Sequence, residues 1–568
     1  MMLIAAANIL TLPDYAVIAV YLLGTITVGV MIGRRLKTGT DFFLGGRSLP
    51  WWAIGMSLVA TDIGGTDIIG VGGAAYSYGL AVANFEWIGC VPAMIVGAFV
   101  FIPFLYRSGA CTVPEFLERR YNAGVRLVMA GCWLIFMACN LGIMLLASAK
   151  MMAGVFGWNE AACIVVTAVL VGGYTMVGGL AAVVYTDMIQ CVVMIAGCLA
   201  ILVLGIIEVG GVANLHLRLQ QATASVEETD SVEQAESESM PDAVPATATT
   251  ADRGHLQSTK TALILPADTE SPFPWPGIYF GLALILSPAY WIGNQAIVQR
   301  SLGARSEFEA KASYVWGALL KNIIPLIVAV PGLIAVALLP DLADGDTAIP
   351  SLVGILLPAG LRGLFVAAFL AALMSSIDSY LNSAATIVTS DFYKRFVDRD
   401  VSDQRLLTIG RFSTIVMSLW ALVFAFLLTQ MREDSGIYAI FQTLMAFFQG
   451  PAFAVLLLGV LWKRATGSAA FVGLVCGIAT SVGLYTLNQP AVCMRLGLQP
   501  LFRISEPFLY FSVWAFLVTA IILVIGSLLT PPPDEDKLRY TFSRPASSPL
   551  RADSSSDEGS AAVVGGNL

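Results

Sequence analysis

Apolar runs long enough to cross a lipid bilayer recur along the whole chain. A helical span needs about 20 apolar residues, and hydrophobic residues make up 57% of the 568 residues while charged residues make up only 12%. This pattern predicts an all-α integral membrane protein with about thirteen transmembrane helices. The predicted spans lie near residues 15–33, 51–73, 82–106, 126–154, 160–177, 183–208, 276–298, 314–340, 359–389, 407–430, 436–463, 467–487 and 508–530.

The distribution of lysine and arginine predicts the orientation of these spans. Cations concentrate in alternate loops, which is typical of the cytoplasmic side of a membrane. With an odd number of spans, the N-terminus then lies outside and the C-terminus inside a cell membrane. No basic segment precedes the first helix, so it is expected to be a retained span. The cations that set this orientation are Arg34, Arg35, Lys37, Arg47, Arg107, Arg119, Arg120, Arg300, Arg305, Lys311, Lys394, Arg395, Arg399, Lys463 and Arg464.

Two segments are too polar to enter the membrane. Residues 210–275 combine glutamate and aspartate with alanine, threonine and serine, which predicts a disordered external loop. Residues 531–568 are rich in proline, serine and aspartate and are predicted to form a disordered cytoplasmic tail.

Two of the predicted spans contain residues that interrupt a helix. In the second span a Gly-Gly pair stands between Asp62 and Asp67, and we expect the helix to unwind near residues 63–65. Five spans later, Pro288 follows Ser287, and its missing N–H predicts a second break. Broken helices at matching places in two halves indicate a transporter with inverted repeats and a site near the bilayer midplane. Two ordinary kinks are the alternative, since Gly and Pro are frequent in membrane helices.

Polar side chains occur at membrane depth in several spans. Residues 371–383 place four serines and Asp378 in one apolar helix. A charge at the bilayer centre costs roughly 2.5–3.5 kcal/mol, so this combination predicts an ion site. The polar residues at depth, which are expected to face a cavity or one another, are Asp62, Asp67, Glu86, Asp187, Lys321, Asp378 and Gln442.

Five motifs in this order resemble those of the solute:sodium symporters, especially the sodium/glucose cotransporter branch. The resemblance runs from about residue 15 to about residue 488. The motifs are DFFLGGRSLPWW at 41–52, TVPEFLERRY at 112–121, GGLAAVVYTD at 178–187, NQAIVQR at 294–300 and the stretch 358–394.

The resemblance implies the five-plus-five inverted-repeat fold of the bacterial leucine transporter, with one helix before the core and two after it. The two broken, discontinuous spans would begin the two repeats, and alternating access would move solute and sodium inward together. The implied organisation is an N-terminal helix and loop at 1–50, a first repeat at 51–209, the acidic external loop at 210–275, a second repeat at 276–465, two C-terminal helices at 466–530 and the tail at 531–568.

The resemblance also implies sodium sites. The ligands of the main site would be the backbone carbonyls of Ala60, Ile63 and Ala372 and the hydroxyls of Ser375 and Ser376. Neutral oxygens freed by an unwound helix suit a hard cation. A second sodium site, present in some members, maps to Asp187, Ser375, Asp378 and Ser379, where Asp378 replaces a residue that usually carries a hydroxyl.

The solute pocket of the sugar-carrying members maps to a further set of residues. This set is Asp62, Asp67, Glu86, Ser287, Tyr290, Trp291, Lys321 and Gln442. In such a pocket a carboxylate accepts hydrogen bonds from sugar hydroxyls and an ammonium donates them. Tyr290 also maps to an inner gate, and an outer hydrophobic gate maps to Val71, Phe85 and Phe441.

Two positions depart from the sugar-binding pattern. Asp62 stands where asparagine is usual, and Asp67 stands where histidine or glutamine contacts the sugar. If ionised, these carboxylates and Glu86 outnumber Lys321, and the pocket should repel carboxylate solutes. The alternative is that burial keeps Asp67 protonated, in which case it donates a hydrogen bond to the solute. Sodium-driven import of a neutral sugar or polyol is therefore the leading hypothesis.

Other classes of solute and protein remain as alternatives. An amino acid or another cationic or zwitterionic solute is the rival substrate, because Tyr290 and Trp291 offer cation-π contacts. A solute sensor would need an output domain, and a channel would need a continuous pore. An enzyme is not expected, since no nucleophile-base pair or metal-ligand cluster is evident, and no nucleic acid partner is indicated.

Overall fold

The computed structural model describes residues 10–34, 39–175, 179–221, 260–269, 271–431, 437–502 and 507–542. Throughout these ranges the chain forms helices and connecting turns, with isolated bridges between Leu49 and Ala304 and between Leu265 and Pro274 but no strand. The all-α class is therefore confirmed.

The helices fall into long apolar ones and short connecting ones. The helices at the predicted spans are α1 (Leu12–Gly33), α2 (Trp51–Asp62), α3 (Gly65–Tyr78), α4 (Leu80–Ser108), α5 (Ala123–Phe156), α6 (Glu160–Thr175), α7 (Leu180–Val209), α8 (Gly277–Gly293), α9 (Gln295–Leu302), α10 (Glu307–Leu338), α11 (Leu361–Val397), α12 (Asp403–Met431), α13 (Ile437–Leu461), α14 (Gly467–Asn488) and α15 (Phe508–Leu529). Short helices in the connections are Gly39–Leu44, Gly45–Arg47, Val113–Arg120, 212–221, Gly345–Thr347, Ala348–Leu356, Pro490–Leu496 and Glu535–Leu538.

Each predicted span has a helix at its position. Within the described ranges, ten helices are long and apolar enough to cross a membrane, and the bent pairs α2–α3 and α8–α9 make up to twelve. The remaining prediction, at 160–177, corresponds to α6, of which the described residues contain 16.

The first helix break lies where the sequence predicts it. The axis bends by 55° between α2 and α3, because Ile63 adopts φ −86° and ψ 84° and Gly64 is extended. A Cβ atom at Gly64 would lie 2.9 Å from the Ser376 Oγ, so only glycine lets α11 approach the break this closely.

The second break lies further along the chain than predicted. The 52° bend between α8 and α9 falls at Asn294, whose backbone is extended and whose Oδ1 accepts a hydrogen bond from the Ala296 N–H at 3.0 Å. The prediction of a break at Pro288 is wrong. Pro288 lies inside α8 directly after a π-helical stretch from Gly277 to Leu286, whose wider turns accommodate the missing donor.

Helix α11 lies at the centre of the bundle. In its most apolar stretch 94% of the residues are buried, compared with 22% in α1. It packs against α1, α2, α3, α5, α7 and α12. Because protein rather than lipid surrounds α11, its serines meet polar partners instead of hydrocarbon.

The loop predicted to be disordered at 210–275 is partly folded. Residues 212–221 are helical, and the segment after residue 260 crosses the start of α4. The Leu80 N–H donates to the Lys260 carbonyl at 2.7 Å, and the Phe273 ring lies 5.7 Å from the Phe85 ring. The prediction was wrong here because the acidic composition of the middle of the loop masked the apolar residues at its end. Residues 222–259 lie outside the described residues.

The beginning of the tail predicted at 531–568 also packs against the protein. The Phe542 N–H donates to the Val460 carbonyl at 2.8 Å, and the Tyr540 ring lies 6.1 Å from the Phe116 ring. Aromatic side chains therefore attach residues 531–542 to the bundle, which contradicts the predicted disorder. Residues 543–568 lie outside the described residues.

Arg120 joins two parts of the bundle on one membrane face, which we call the basic face and define by Arg107, Arg120 and Arg395. The buried Arg120 guanidinium donates to the carbonyls of Gly459 at 2.7 Å, Trp462 at 3.0 Å and Ala465 at 3.1 Å. Carbonyls at a helix C-terminus have no partner within the helix. Arg120 thus completes the end of α13.

Replacing Arg120 by alanine should lower the thermal stability of the detergent-purified protein. We expect a loss of about 3 kcal/mol, because several buried carbonyls lose a charged donor together. The control is Arg119→Ala, which removes a half-buried guanidinium paired with Glu115 and should cost about 1 kcal/mol or less. Equal effects of the two substitutions would contradict the role given to Arg120.

Candidate functional site

A cavity opens beside the break between α2 and α3. The space in it that a water molecule can occupy is about 50 Å³, which is below the usual range for small-molecule sites. Helices α4, α8 and α13 complete its wall. The lining residues are Asp62, Asp67, Phe85, Glu86, Cys90, Leu282, Leu286, Ser287, Tyr290, Trp291, Tyr438, Phe441, Gln442, Met445 and Gln449.

The structure brings together most of the residues assigned to the solute pocket. Those that line the cavity are Asp62, Asp67, Glu86, Ser287, Tyr290, Trp291 and Gln442. Lys321 does not line it. Residues from five helices thus meet at one place, although they are separated by up to several hundred positions in the sequence.

Lys321 lies behind the cavity wall, in an ion-pair cluster. Its side chain is fully buried, its Nζ lies 2.6 Å from the Glu86 Oε2, and it also contacts the Asp62 carboxylate. It lies 5.7 Å from the centre of the Trp291 ring. A buried ammonium needs such partners, so Lys321 positions the two carboxylates instead of reaching into the cavity.

Asp67 has a different environment from the other two carboxylates. Its Oδ2 accepts a hydrogen bond from the Gly64 N–H at 2.8 Å, which caps the first turn of α3. No Lys or Arg in the described residues lies within ion-pair distance of it. The positive end of α3 therefore contributes to the stabilisation of this carboxylate.

The residues assigned to the outer gate occupy two different positions. Phe85 and Phe441 line the cavity, and the Phe85 ring packs edge to face on Tyr438 at 5.3 Å and on Phe273 at 5.7 Å. This aromatic cluster lies at the cavity wall near the start of α4, whereas Arg107 of the basic face lies near the other end of that helix. Val71 does not line the cavity and instead packs between apolar clusters beside it.

The residue assigned to the inner gate, Tyr290, belongs to a small polar group. Its hydroxyl lies 3.4 Å from the Tyr380 hydroxyl, to which the Asn294 Nδ2 also donates at 3.4 Å. Asn294 is the residue at which α8 ends. Tyr290 is thereby connected to both the second helix break and α11.

The residues assigned to the main sodium site converge where α11 passes the first break. The Ser375 hydroxyl donates to the carbonyls of Ala60 at 2.6 Å and Ala372 at 3.0 Å. The Ser376 hydroxyl donates to the Thr61 carbonyl at 2.9 Å. These groups are buried, and Ile63 is at the break itself. A cluster of neutral carbonyl and hydroxyl oxygens is suitable for coordinating a sodium ion.

A guanidinium reaches the residues assigned to the second sodium site. The Arg300 Nη2 lies 3.3 Å from the Asp187 Oδ2 and contacts the Ser379 hydroxyl, while its Nε donates to Ser57 at 2.7 Å. Asp187 also accepts from Ser57 at 2.6 Å. The prediction that Arg300 lies in a cytoplasmic loop is wrong, because α9 carries Arg300, fully buried, into the bundle.

Asp378 adds a carboxylate next to that network. It is buried in α11, and its Oδ1 accepts from the Ser379 hydroxyl at 3.2 Å. Asp187, with its Oδ1 buried, lies in the same network. Two carboxylates and one guanidinium are therefore close together in the centre of the bundle.

Several lining residues were missed, although helical periodicity identifies them. Gln442 was assigned to the pocket, and Tyr438 and Gln449 lie four positions before and seven after it in α13. Cys90 follows Glu86 by four positions in α4. Such spacings place side chains on one helix face.

Comparison with known proteins agrees with these features. The Sodium:solute symporter family model matches residues 42–477. Sodium/glucose cotransporter 4 of Homo sapiens is 33% identical over 560 residues, covering 93% of this chain and 78% of that protein. The sodium/myo-inositol cotransporter of Bos taurus is 31% identical over 561 residues, covering 94% and 75%.

A solved structure shows the same fold. A substrate-bound, outward-open state of a Na⁺-coupled sialic acid symporter matches with a TM-score of 0.74 and 22% identity, covering 92% of this chain and 99% of that chain. The inverted-repeat membrane fold implied by the motifs is thereby confirmed.

The Lys321 cluster makes a prediction about stability. Lys321→Ala leaves the largely buried carboxylates of Asp62 and Glu86 without their ion-pair partner, and we expect a loss of about 3–5 kcal/mol. Adding Asp62→Asn should restore part of it, because one buried charge is removed. Lys311→Ala, at a half-exposed pair with Glu307 on the same helix, is the control. The stability of the wild type and the three variants is measured from unfolding curves in detergent. If Lys321→Ala is as stable as the wild type, the ion pairs of Lys321 do not stabilise the fold.

Proposed function

Because this chain belongs to the sodium:solute symporter family, we propose that it imports a small sugar or polyol together with sodium by alternating access. It is a sodium-coupled membrane transporter and not an enzyme. The observation that supports the proposal most strongly is the α2–α3 break. Its residues contribute both to the oxygen cluster around Ser375 and to the wall of the cavity.

Ion and solute are coupled through this short stretch of backbone. The Ala60 carbonyl faces Ser375, and Asp62, two residues later, lines the cavity. An ion that fixes the carbonyls of α2 against α11 therefore also fixes the carboxylate that meets the solute. Coupling between two sites needs such a shared element, and sodium should raise the affinity for solute.

The chemistry of the cavity favours a polyhydroxylated solute. Carboxylates and the amide of Gln442 offer acceptors and a donor for hydroxyl groups, and rings such as Tyr290 and Tyr438 cover apolar faces. The relatives named above include a glucose and a myo-inositol cotransporter. Solutes with a carboxylate fit poorly because Asp62, Asp67 and Glu86 repel them.

Orientation and domain organisation complete the proposal. The basic face lies in the cytoplasm, which places the N-terminus outside and the C-terminus inside. The repeats are 51–209 and 276–465, residues 210–275 form an external connection, and two helices at 466–530 follow the core. The aromatic cluster around Phe85 is then the outer gate and Tyr290 the inner one.

A second sodium ion would bind beside Arg300. Asp187, Asp378 and Ser379 remain its proposed ligands, but Asp187 is already shared with the guanidinium. The ion would therefore rely on Asp378, whose negative charge replaces the neutral hydroxyl of the family pattern. Measurement of the sodium:solute ratio tests this part of the proposal.

The transport proposal is tested by uptake into proteoliposomes. Labelled glucose, galactose, myo-inositol, proline and choline are supplied with an inward sodium gradient or with potassium in its place. Sodium-dependent accumulation of a sugar or inositol is the expected result. Accumulation of proline or choline alone would overturn the polyol assignment, and no sodium-dependent uptake of any would overturn the proposal itself.

The main sodium site makes a separate prediction. Ser376→Ala removes a hydroxyl beside the first break and should raise the sodium concentration for half-maximal uptake about tenfold, the cost of one good ligand. Ser418→Ala removes a hydroxyl that donates to the Thr414 carbonyl within α12 and should leave sodium activation unchanged. Equal sodium activation of the two variants would mean that the ion binds elsewhere.

A further inference from the structure

The charges around the cavity do not balance. Three carboxylates, Asp62, Asp67 and Glu86, line it, and one ammonium, Lys321, lies against it. A sodium ion at the neutral oxygens beside Ala60 would add one positive charge next to Asp62. One negative charge then remains, and an unpaired charge away from water is costly.

The remaining charge is best assigned to Asp67. Lys321 is in direct contact with the other two carboxylates, whereas the direct contacts of Asp67 are hydrogen bonds, from the Gly64 N–H at 2.8 Å and more distantly from Thr66 at 3.5 Å. Asp67 is partly exposed, and the cavity is the space that it lines. A cationic group on the solute can therefore approach it.

The same cavity also presents buried donors that lack good acceptors. In the described residues the Gln449 Nε2 is buried without a hydrogen-bond partner, and the buried Trp291 Nε1 has the Cys90 thiol, a weak acceptor, beside it. Both residues line the cavity, and they are 1% and 0% exposed. Buried donors of this kind are normally satisfied, so the solute should bring oxygen acceptors as well as a cation.

We propose that the preferred solute is an amino sugar or aminocyclitol, with its protonated amine against Asp67 and its ring hydroxyls facing Gln449 and Trp291. This inference rests on the proposed function, because it refines the solute class of the same cavity. Aromatic side chains such as Tyr438 and Phe441 further favour a cation in this space. A quaternary amine without hydroxyls would leave the buried donors unsatisfied.

The test is competition for sodium-driven uptake in proteoliposomes. Glucosamine, in a buffer that keeps its amine protonated, is compared with glucose and with N-acetylglucosamine, which has the same skeleton without the charge. Amino sugars substituted at other ring carbons are included, so that the position of the amine is varied. We expect the best amino sugar to inhibit at a concentration about tenfold lower than its hydroxyl parent.

Variants of Asp67 separate charge from shape. In Asp67→Asn the side-chain oxygen can still cap α3. The ratio of the inhibitory concentration of the hydroxyl parent to that of the amino sugar should fall close to one. Asp67→Glu keeps the charge and should keep a preference. The matched control is Asp341→Asn, which removes an exposed carboxylate outside the cavity and should leave the preference unchanged.

A measurement on the wild-type protein covers the case in which Asp67→Asn does not fold. Raising the pH until the amine is neutral should remove the advantage of the amino sugar while glucose inhibition stays constant. Equal inhibition by amino and hydroxyl sugars in wild type, or an unchanged preference in Asp67→Asn, would overturn this inference. Neutral sugar uptake would then still support the transporter proposal, which fails only if no solute of the panel is carried with sodium.

Discussion

The contact between the first helix break and the serines of α11 is the interaction on which the rest of the site depends. Unwinding a helix inside a membrane leaves backbone groups without partners, and hydrocarbon cannot satisfy them. Here the Ser375 and Ser376 hydroxyls bond the carbonyls of Ala60 and Thr61. The break is thereby stable, and it turns the next residues, Asp62 and Asp67, toward the cavity. One backbone feature thus creates both an oxygen cluster for an ion and a wall for a solute.

Helix α2 also contacts both buried cations of the site, Lys321 and Arg300. Through Asp62 it reaches Lys321, and through Ser57 and Thr61 it reaches Arg300. Both cations are buried, so neither pairing can be lost without leaving a charge in a poorly solvating interior. Any movement of α2 during transport must carry these partners along or exchange them for ions or solute. Arg300 lies in α9, beyond the second break, and so connects the two broken spans directly.

Much of the fold could be predicted from the sequence, because long apolar runs and a Gly-Gly pair have direct physical meaning. The break at Gly64 could be predicted because glycine adopts backbone conformations that interrupt a helix. The break at Asn294 could not, because a proline such as Pro288 is the stronger helix breaker in the sequence, and nothing in the sequence shows that the helix continues past it. The positions of Asp62, Asp67 and Glu86 in one cavity followed from the motifs. The position of Lys321 behind the cavity wall and the burial of Arg300 depend on packing between helices that are distant in the sequence. A local sequence pattern cannot predict such packing. Gln449 and Tyr438, in contrast, were accessible from the helical spacing around Gln442.

The most direct test of the account is the reciprocal dependence of sodium and solute binding in the purified protein. Solute affinity would be measured by calorimetry in sodium and in potassium, and sodium affinity with and without solute. Since both ligands act on the same break, each should tighten the binding of the other by the same factor. Solute affinity that is identical in sodium and potassium would show that the break does not couple the two sites.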